Sequence, residues 1–317
     1  MRQSTRRHPL EPARKWPGPL LSVYSLHPVP VMPTRIVRLD IPNAWHSEMA
    51  ALKARLASVG LALPPGSRLA SFARTIDAMA GGSFSARDQT DPRLHSLLEG
   101  ARDFGEMHMA AMRLLPTDDP ALVVRFRRAL GGSTMPVNRN PDARSTQFEL
   151  YLAAVLTTTG HQVEFAEPDI ILAYPGLEIA VAAKRIETPR KYRTRLKEGV
   201  EQIERSGRRG IVAVLFDHVG PNRYPGIIAE TADDIQRRAP QILRDTVDPL
   251  REATLRATVG RPVLALLATV ALPAIVPSQN RIGRLAGMLL RIIEVNTSVD
   301  EKRVLEQLPA AMTLPDA

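Results

Sequence analysis

The chain has 317 residues, 44% of them hydrophobic, which is enough for a substantial core in one large or two modest domains. It contains no cysteine, and this excludes disulfide scaffolds, cysteine-ligated zinc, iron–sulfur clusters and thiol nucleophiles. The formal charge of +9 favours a polyanionic partner, whereas the 4% aromatic content argues against the base-stacking platforms of single-strand binders.

The N-terminal residues 1–42 are basic and rich in proline. The first 38 residues carry seven basic side chains and one acidic side chain, and eight prolines lie between positions 9 and 42. Because proline breaks helices and the segment has no apolar periodicity, it predicts a disordered basic tail. A solvated tail and a nucleic-acid-binding arm are both compatible with this composition.

Residues 43–135 predict a small all-helical region. Apolar residues recur at helix spacing in four segments, near 43–60, 69–80, 94–115 and 120–130. The last segment opens on Asp118, Asp119 and Pro120, an acidic cap followed by proline in the first turn. Substrate recognition and homodimer formation are both compatible with this region, as is a regulatory protein in which the helical bundle itself carries the function.

Residues 136–317 have the pattern of an α/β domain. Apolar runs that predict buried strands alternate with amphipathic segments that predict helices, in the order α-β-β-β-α-β-α-β-β. The longest apolar run, Val263–Val276, is too short to span a membrane and is interrupted by Pro273, so we expect a strand and a cytoplasmic protein with no membrane partner. The predicted elements are helices over 142–158, 189–206 and 231–258 and strands over 161–166, 169–173, 177–186, 211–216, 263–272 and 288–295.

The residues with recognisable chemistry lie in the first part of this domain. Asp169 opens one predicted strand and Lys184 lies near the end of the next, so a hairpin brings the two side chains to one end of the sheet. Glu149, from the preceding helix, adds a second carboxylate. Two carboxylates beside an ammonium suit Mg²⁺, which takes oxygen ligands and needs only one or two protein carboxylates.

The order helix, three strands, helix and strand, with Pro168-Asp169 on the second strand and Lys184 on the third, resembles the PD-(D/E)XK nuclease superfamily. The resemblance covers about residues 140–220 and implies a restriction-endonuclease-like core with a mixed sheet. It also implies a Mg²⁺-dependent or Mn²⁺-dependent endonuclease that hydrolyses phosphodiester bonds, with DNA as the expected nucleic acid. Asp169 would then bind the metal with the main-chain carbonyl of Ala183, Lys184 would be catalytic, and Glu149 would match the acid of the first helix.

The sequence departs from the superfamily's pattern at Ala182, where the pattern has an acid two residues before the lysine. Glu178 has the right strand parity but lies four residues away, too far along a strand to replace it. Glu149 is the best replacement because it comes from a separate element. The alternative is a catalytically inactive nucleic-acid-binding or interaction module on the same fold.

The predicted helix 189–206 is strongly basic in its N-terminal half. Residues 184–209 hold ten basic and four acidic residues, and cations near a helix N-terminus oppose the helix dipole. This favours an anionic partner, although a solvated face balanced by three glutamates of the helix is the alternative. Gln202 and Lys191 also match the polar residue that the superfamily often places on this helix. The candidate nucleic-acid-binding residues are Lys191, Arg193, Arg195, Lys197 and Gln202.

Overall fold

The computed structural model describes residues 26–28, 35–36, 43–80, 92–132, 142–158, 160–186, 188–216, 227–228, 231–276 and 281–311. The helices are α1 (Asn43–Ala57), α2 (Arg68–Ala80), α3 (Pro92–Leu114), α4 (Pro120–Leu130), α5 (Asp142–Thr158), α6 (Tyr192–Ser206), α7 (Ala232–Val247), α8 (Arg251–Thr258) and α9 (Val299–Ala311). The strands are β1 (Leu26–Pro28), β2 (Arg35–Ile36), β3 (Gln162–Glu164), β4 (Ile170–Tyr174), β5 (Leu177–Ile186), β6 (Gly210–Phe216), β7 (Ile227–Ile228), β8 (Val263–Val276) and β9 (Arg281–Ile293).

The strands form one mixed sheet, as the prediction of an α/β fold requires. Its order is β1-β9-β8-β6-β5-β4-β3, with β2 on β9 and β7 on β8. The three central strands β5, β6 and β8 are parallel, and β3, β4 and β9 pair antiparallel with their neighbours. Every residue of β6 is buried, which explains its continuous apolar sequence.

Helices cover both faces of the sheet. One face packs against α6, α7 and α8 through a core that includes Leu196, Val212 and Leu243. The opposite face packs against α5 and α9, with Leu152, Ile211 and Leu305 in its core. The helices α1 to α4 form a helical layer that packs against α5, whose Leu150 and Ala154 belong to the core of that layer, and α3 also contacts β8 and β9 of the sheet.

The helical layer and α5 are also joined by buried charges. Asp103 of α3 lies between Arg68 of α2 and Arg144 of α5, with its Oδ2 2.9 Å from Arg68 Nε and 2.9 Å from Arg144 Nη2. Gln147 Nε2 donates to Asp103 Oδ1 at 3.2 Å and to Glu106 Oε2 at 2.5 Å. Because all five side chains are buried, they interact in a medium that screens charge poorly.

Local signals predicted most of these elements correctly. Asp119 caps α4 by accepting the N–H of Ala121 at 2.8 Å, with Pro120 in the first turn as expected. Gly207 ends α6 in the left-handed region, at φ 68°. The strand predicted over 177–186 matches β5.

Several predicted boundaries were wrong where tertiary packing decides them. The helix predicted over 231–258 is divided into α7 and α8 by a 3-10 turn at Asp248–Leu250, because Pro249 cannot donate the hydrogen bond of a continuous helix. The helix predicted from Pro189 begins as a 3-10 turn, and α6 proper starts at Tyr192. The last two strands are longer than predicted because β8 and β9 pair with each other along almost their whole length.

Three strands and one helix were not predicted. Two of the strands, β1 and β2, lie within the segment expected to be a disordered tail, and both pair antiparallel with β9. The other two elements are β7 and α9. The rest of residues 1–42 lies outside the described residues.

Within the part of the chain that the structure describes, no helix has the length and apolar character needed to cross a bilayer.

Candidate active site

Asp169 and Lys184 lie side by side at one end of the β4–β5 hairpin. Ile170 pairs with Val181, so Asp169, which immediately precedes β4, lies next to the C-terminal part of β5. The N–H of Ala183 donates to Asp169 Oδ2 at 2.8 Å. Lys184 Nζ lies 3.5 Å from the same oxygen and donates to the carbonyl of Ala183 at 3.0 Å. The hairpin therefore brings the carboxylate and the ammonium together, as the sequence predicts.

Glu149 of α5 brings a second carboxylate into the same electrostatic environment. Burial, followed by the negative charge of Asp169, raises the pKa of Glu149 to about 7, against the opposing effects of Arg125, Lys184 and Arg128. Arg125 Nη1 donates to Glu149 Oε2 at 2.7 Å. The neighbouring carboxylate of Asp169 and the guanidinium of Arg125 therefore act on the pKa of Glu149 in opposite directions.

The oxygen atoms at this site are of the type that a hard divalent cation prefers. Burial raises the pKa of Asp169, although Lys184 and the N–H of Ala183 act in the opposite direction. Lys184 Nζ already contacts both Asp169 Oδ2 and the Ala183 carbonyl, so these oxygens accommodate a positive charge. Asp169, Glu149 and the Ala183 carbonyl are the groups that could hold Mg²⁺ or Mn²⁺, with water completing the coordination.

The side chains alone do not make a complete metal cage. Among the described residues, no group of three or more His, Asp or Glu side chains is placed to hold a metal ion. Ala182 is fully buried in the apolar core with Tyr192 and Leu196 and supplies no ligand. Glu178 pairs with Arg208 at 2.9 Å, near the opposite end of β5. A metal site here would therefore rest on two carboxylates and a main-chain oxygen.

The helix α6 lies directly beside the stem of Lys184. A Cβ atom at Gly199 would be 3.5 Å from Lys184 Cγ and 2.8 Å from a methyl group of Val212, so a larger residue there would force these groups to shift. Of the predicted nucleic-acid-binding residues, Lys191 and Arg193 are exposed at the start of this helix. Gln202 is half-buried, and its Oε1 has no hydrogen-bond partner within the described ranges.

The other two candidate residues on α6 form ion pairs along the helix. Arg195 Nη1 lies 2.9 Å from Glu198 Oε2, and Lys197 Nζ lies 3.6 Å from Glu201 Oε1. Such pairs on an exposed helix face contribute little to stability and are easily exchanged for other partners. The basic surface at α6 thus consists of exposed cations at its start and paired cations one turn later.

Two arginines of α4 that no motif identified also belong to this environment. The guanidinium of Arg125 lies 5.1 Å from the ring centroid of Phe165. The positive charge of Arg128 lowers the pKa of Glu149. The sequence signal was present, because α4 carries three arginines and no acidic residue. Only the packing of α4 against α5 shows which of these arginines are near the carboxylates.

Replacing Glu149 with glutamine is expected to stabilise the metal-free protein at pH 8 and to change its stability little at pH 5. Because the folded-state pKa of about 7 exceeds the ordinary value of 4.5, folding favours the protonated acid. The stability that Glu149 contributes is therefore fully present below about pH 4.5 and is lost as the pH rises through 7. Glutamine stays neutral throughout, so its advantage should appear only at the higher pH.

Thermal unfolding in a chelator at both pH values measures this effect. Glu252→Gln is the matched control, because Glu252 is exposed on α8 and pairs with Arg256 across one turn. An equal change in melting temperature at pH 5 and pH 8 for Glu149→Gln would contradict the expected pKa shift.

Comparisons with protein-family models, with curated proteins and with solved structures found no match to this chain.

Proposed function

We propose that the protein is a metal-dependent nuclease that hydrolyses phosphodiester bonds of nucleic acid, with a restriction-endonuclease-like core of the PD-(D/E)XK type. The observation that carries this proposal is the convergence of Asp169, Lys184 and the Ala183 carbonyl at the end of one hairpin, with Glu149 in the same charge environment. The strand order around the hairpin, antiparallel β3-β4-β5 followed by parallel β6, supports the same resemblance.

Each residue has a separate role in this proposal. Asp169, Glu149 and the Ala183 carbonyl would hold Mg²⁺ or Mn²⁺, which when bound would polarise the phosphate and favour ionisation of water. Lys184 Nζ lies beside these oxygens, where it would orient the attacking water and offset negative charge that develops on the phosphate. The attacking water would release a proton to solvent as its oxygen bonds to phosphorus, and the bond to the leaving sugar oxygen would break as that oxygen takes up a proton from water.

A specific observation also favours the second candidate, an inactive nucleic-acid-binding module on the same fold. Ala182 stands where the superfamily has an acid, and it is fully buried among apolar side chains. Lys184 is already paired with Asp169, so the charge of this carboxylate is balanced without a metal. In that case the protein would bind nucleic acid through its basic surfaces and leave the backbone intact.

Cleavage assays distinguish the two candidates. The purified protein is incubated with plasmid, linear duplex, single-stranded DNA and RNA, with Mg²⁺, Mn²⁺ or a chelator. A nuclease is expected to cut at least one substrate only when a divalent cation is present. Lys184→Met keeps an apolar stem of similar length and removes the ammonium, so it should reduce cleavage by about 100-fold or more.

Lys53→Met is the matched control, because Lys53 is exposed on α1 and lies in the helical layer. The Lys53→Met variant should cleave the same substrates at the wild-type rate. Cleavage that persists in Lys184→Met would contradict the role assigned to Lys184. Binding of nucleic acid without any cleavage under either metal would instead favour the inactive module.

A further inference from the structure

The helix α4 presents a cationic face to the candidate site. Its three basic residues are Arg125, Arg127 and Arg128, and it has no acidic residue. Arg125 and Arg128 are three positions apart and therefore lie on one face of the helix. Both lower the pKa of Glu149, whereas Arg127 is exposed and lies at the position next to Arg128.

The guanidinium of Arg125 is held in a fixed orientation. Phe165 lies against it at 5.1 Å, and one of its nitrogen atoms donates to Glu149 Oε2. The side chain nevertheless keeps 29% of its surface exposed. Its remaining N–H groups have no hydrogen-bond partner among the residues that the structure describes. An oriented, partly exposed guanidinium is well suited to bind an oxyanion with two N–H groups.

The balance of charge around the carboxylates favours an anionic ligand. Asp169 and Glu149 are outnumbered by Lys184, Arg125 and Arg128, so these five side chains carry a formal charge of +1 when all are ionised. A bound divalent cation would add two more positive charges. Arg128 is exposed, and no ion pair or hydrogen bond of its side chain is found within the described ranges.

We infer that Arg125 and Arg128 form a phosphate-binding site through which the helical layer holds the backbone of the nucleic acid. This inference rests on the proposed function and extends it, because it assigns part of the substrate contact to α4. The helix α4 packs against α5, which covers one face of the sheet, and α6 lies on the opposite face. A nucleic acid at the strand ends would therefore meet cations from both sides of the sheet.

The test measures binding separately from cleavage. Fluorescence anisotropy of labelled duplex and single-stranded oligonucleotides is recorded in a chelator at several salt concentrations. Each phosphate contact contributes about 0.9 to the slope of log affinity against log salt for duplex, and about 0.7 for single strands. Arg128→Gln should reduce the magnitude of the slope by about this amount and weaken binding, and the double variant with Arg125→Gln should reduce it about twice as much.

Arg127→Gln is the matched control, since it removes the same charge from the adjacent position of the same helix. Its slope should stay at the wild-type value. Arg128→Gln is the decisive single variant, because Arg125→Gln also breaks the ion pair with Glu149. Chemical denaturation of each variant checks that it is folded.

The outcomes separate this inference from the proposed nuclease activity. The inference is supported if the salt dependence of binding becomes weaker in the Arg128→Gln variant and in the double variant but not in Arg127→Gln. This holds even if the wild-type protein cleaves no substrate. Equal slopes for Arg127→Gln and Arg128→Gln overturn the inference. The proposed nuclease activity would be unaffected by that result, because it is measured separately as cleavage by the wild-type protein. A wild-type protein that binds neither oligonucleotide overturns it as well.

Discussion

Replacing Asp103 with alanine is expected to lower the free energy of unfolding by about 3–5 kcal/mol, which is the typical cost of removing one partner from a buried ion pair. Asp103 is 1% exposed and lies between Arg68, Arg102 and Arg144. Without its carboxylate, these arginines would remain buried with too little negative charge, and Gln147 would lose an acceptor. Equilibrium denaturation in urea at pH 7 measures the loss.

The pKa of Asp103 predicts how this loss depends on pH. Burial alone would raise the pKa, but Arg68, Arg144 and Arg102 lower it well below the ordinary value of 3.8. A lowered folded-state pKa means that the stabilisation is present above about pH 4 and is lost as the pH falls below that value. The difference between wild type and Asp103→Ala should therefore shrink in acid.

Asp77→Ala is the matched control for this experiment. Asp77 belongs to α2 in the same helical layer, but it is largely exposed and lies 3.6 Å from His46. Removing it should change the free energy of unfolding by no more than about 0.5 kcal/mol. A loss for Asp103→Ala as small as that for Asp77→Ala would show that the buried network does not hold the helical layer on α5.

Replacing Asp169 with asparagine is expected to reduce metal-dependent cleavage by about 10²–10³-fold, the range typical for loss of one preorganised electrostatic contact. The amide oxygen of asparagine can still accept the N–H of Ala183, so the local structure of the hairpin should be kept. The negative charge beside Lys184 Nζ is lost. The rate of plasmid cleavage at saturating Mg²⁺ is the primary measurement.

The same variant provides a second measurement that does not depend on turnover. If Asp169 holds the cation, Mg²⁺ should raise the melting temperature of the wild-type protein and should have a smaller effect on Asp169→Asn. Asp300→Asn, an exposed substitution on α9, should behave like wild type in both experiments. If Asp169→Asn cleaves the plasmid at the wild-type rate, Asp169 is not part of the active site and the cleavage takes place elsewhere.

Much of the candidate site was predictable because its residues obey local rules. The Pro168-Asp169 turn, the strand that contains Lys184 and the helix that contains Glu149 were each indicated by residues within a few positions. Once two neighbouring strands form a hairpin, the alignment of their ends follows from the short turn between them. The approach of Asp169 to Lys184 needed no further information.

The burial of Ala182 could be read only in part from the sequence. The absence of an acid at this position was evident at once, and it reduced the expected ligand set to two carboxylates and a carbonyl. Tyr192 and Leu196 bury this position in the core because α6 packs against the sheet. This packing cannot be predicted from the neighbouring residues. This packing explains why an alanine suits the fold at this position.

The sequence by itself determined the alternation of helices and strands, the N-cap of α4, the glycine that ends α6, and the hairpin that joins Asp169 to Lys184, because apolar periodicity and turn chemistry act between near neighbours. Tertiary structure alone decided that α4 brings Arg125 to Glu149, that Asp103 of α3 meets Arg144 of α5, and that β1 and β2 join the sheet at β9. Asp103 and Arg144 are 41 residues apart, and Leu26 and Ile293 lie near opposite ends of the chain. Contacts over such separations are selected by the burial of whole surfaces and the pairing of buried charges, and no local pattern records them.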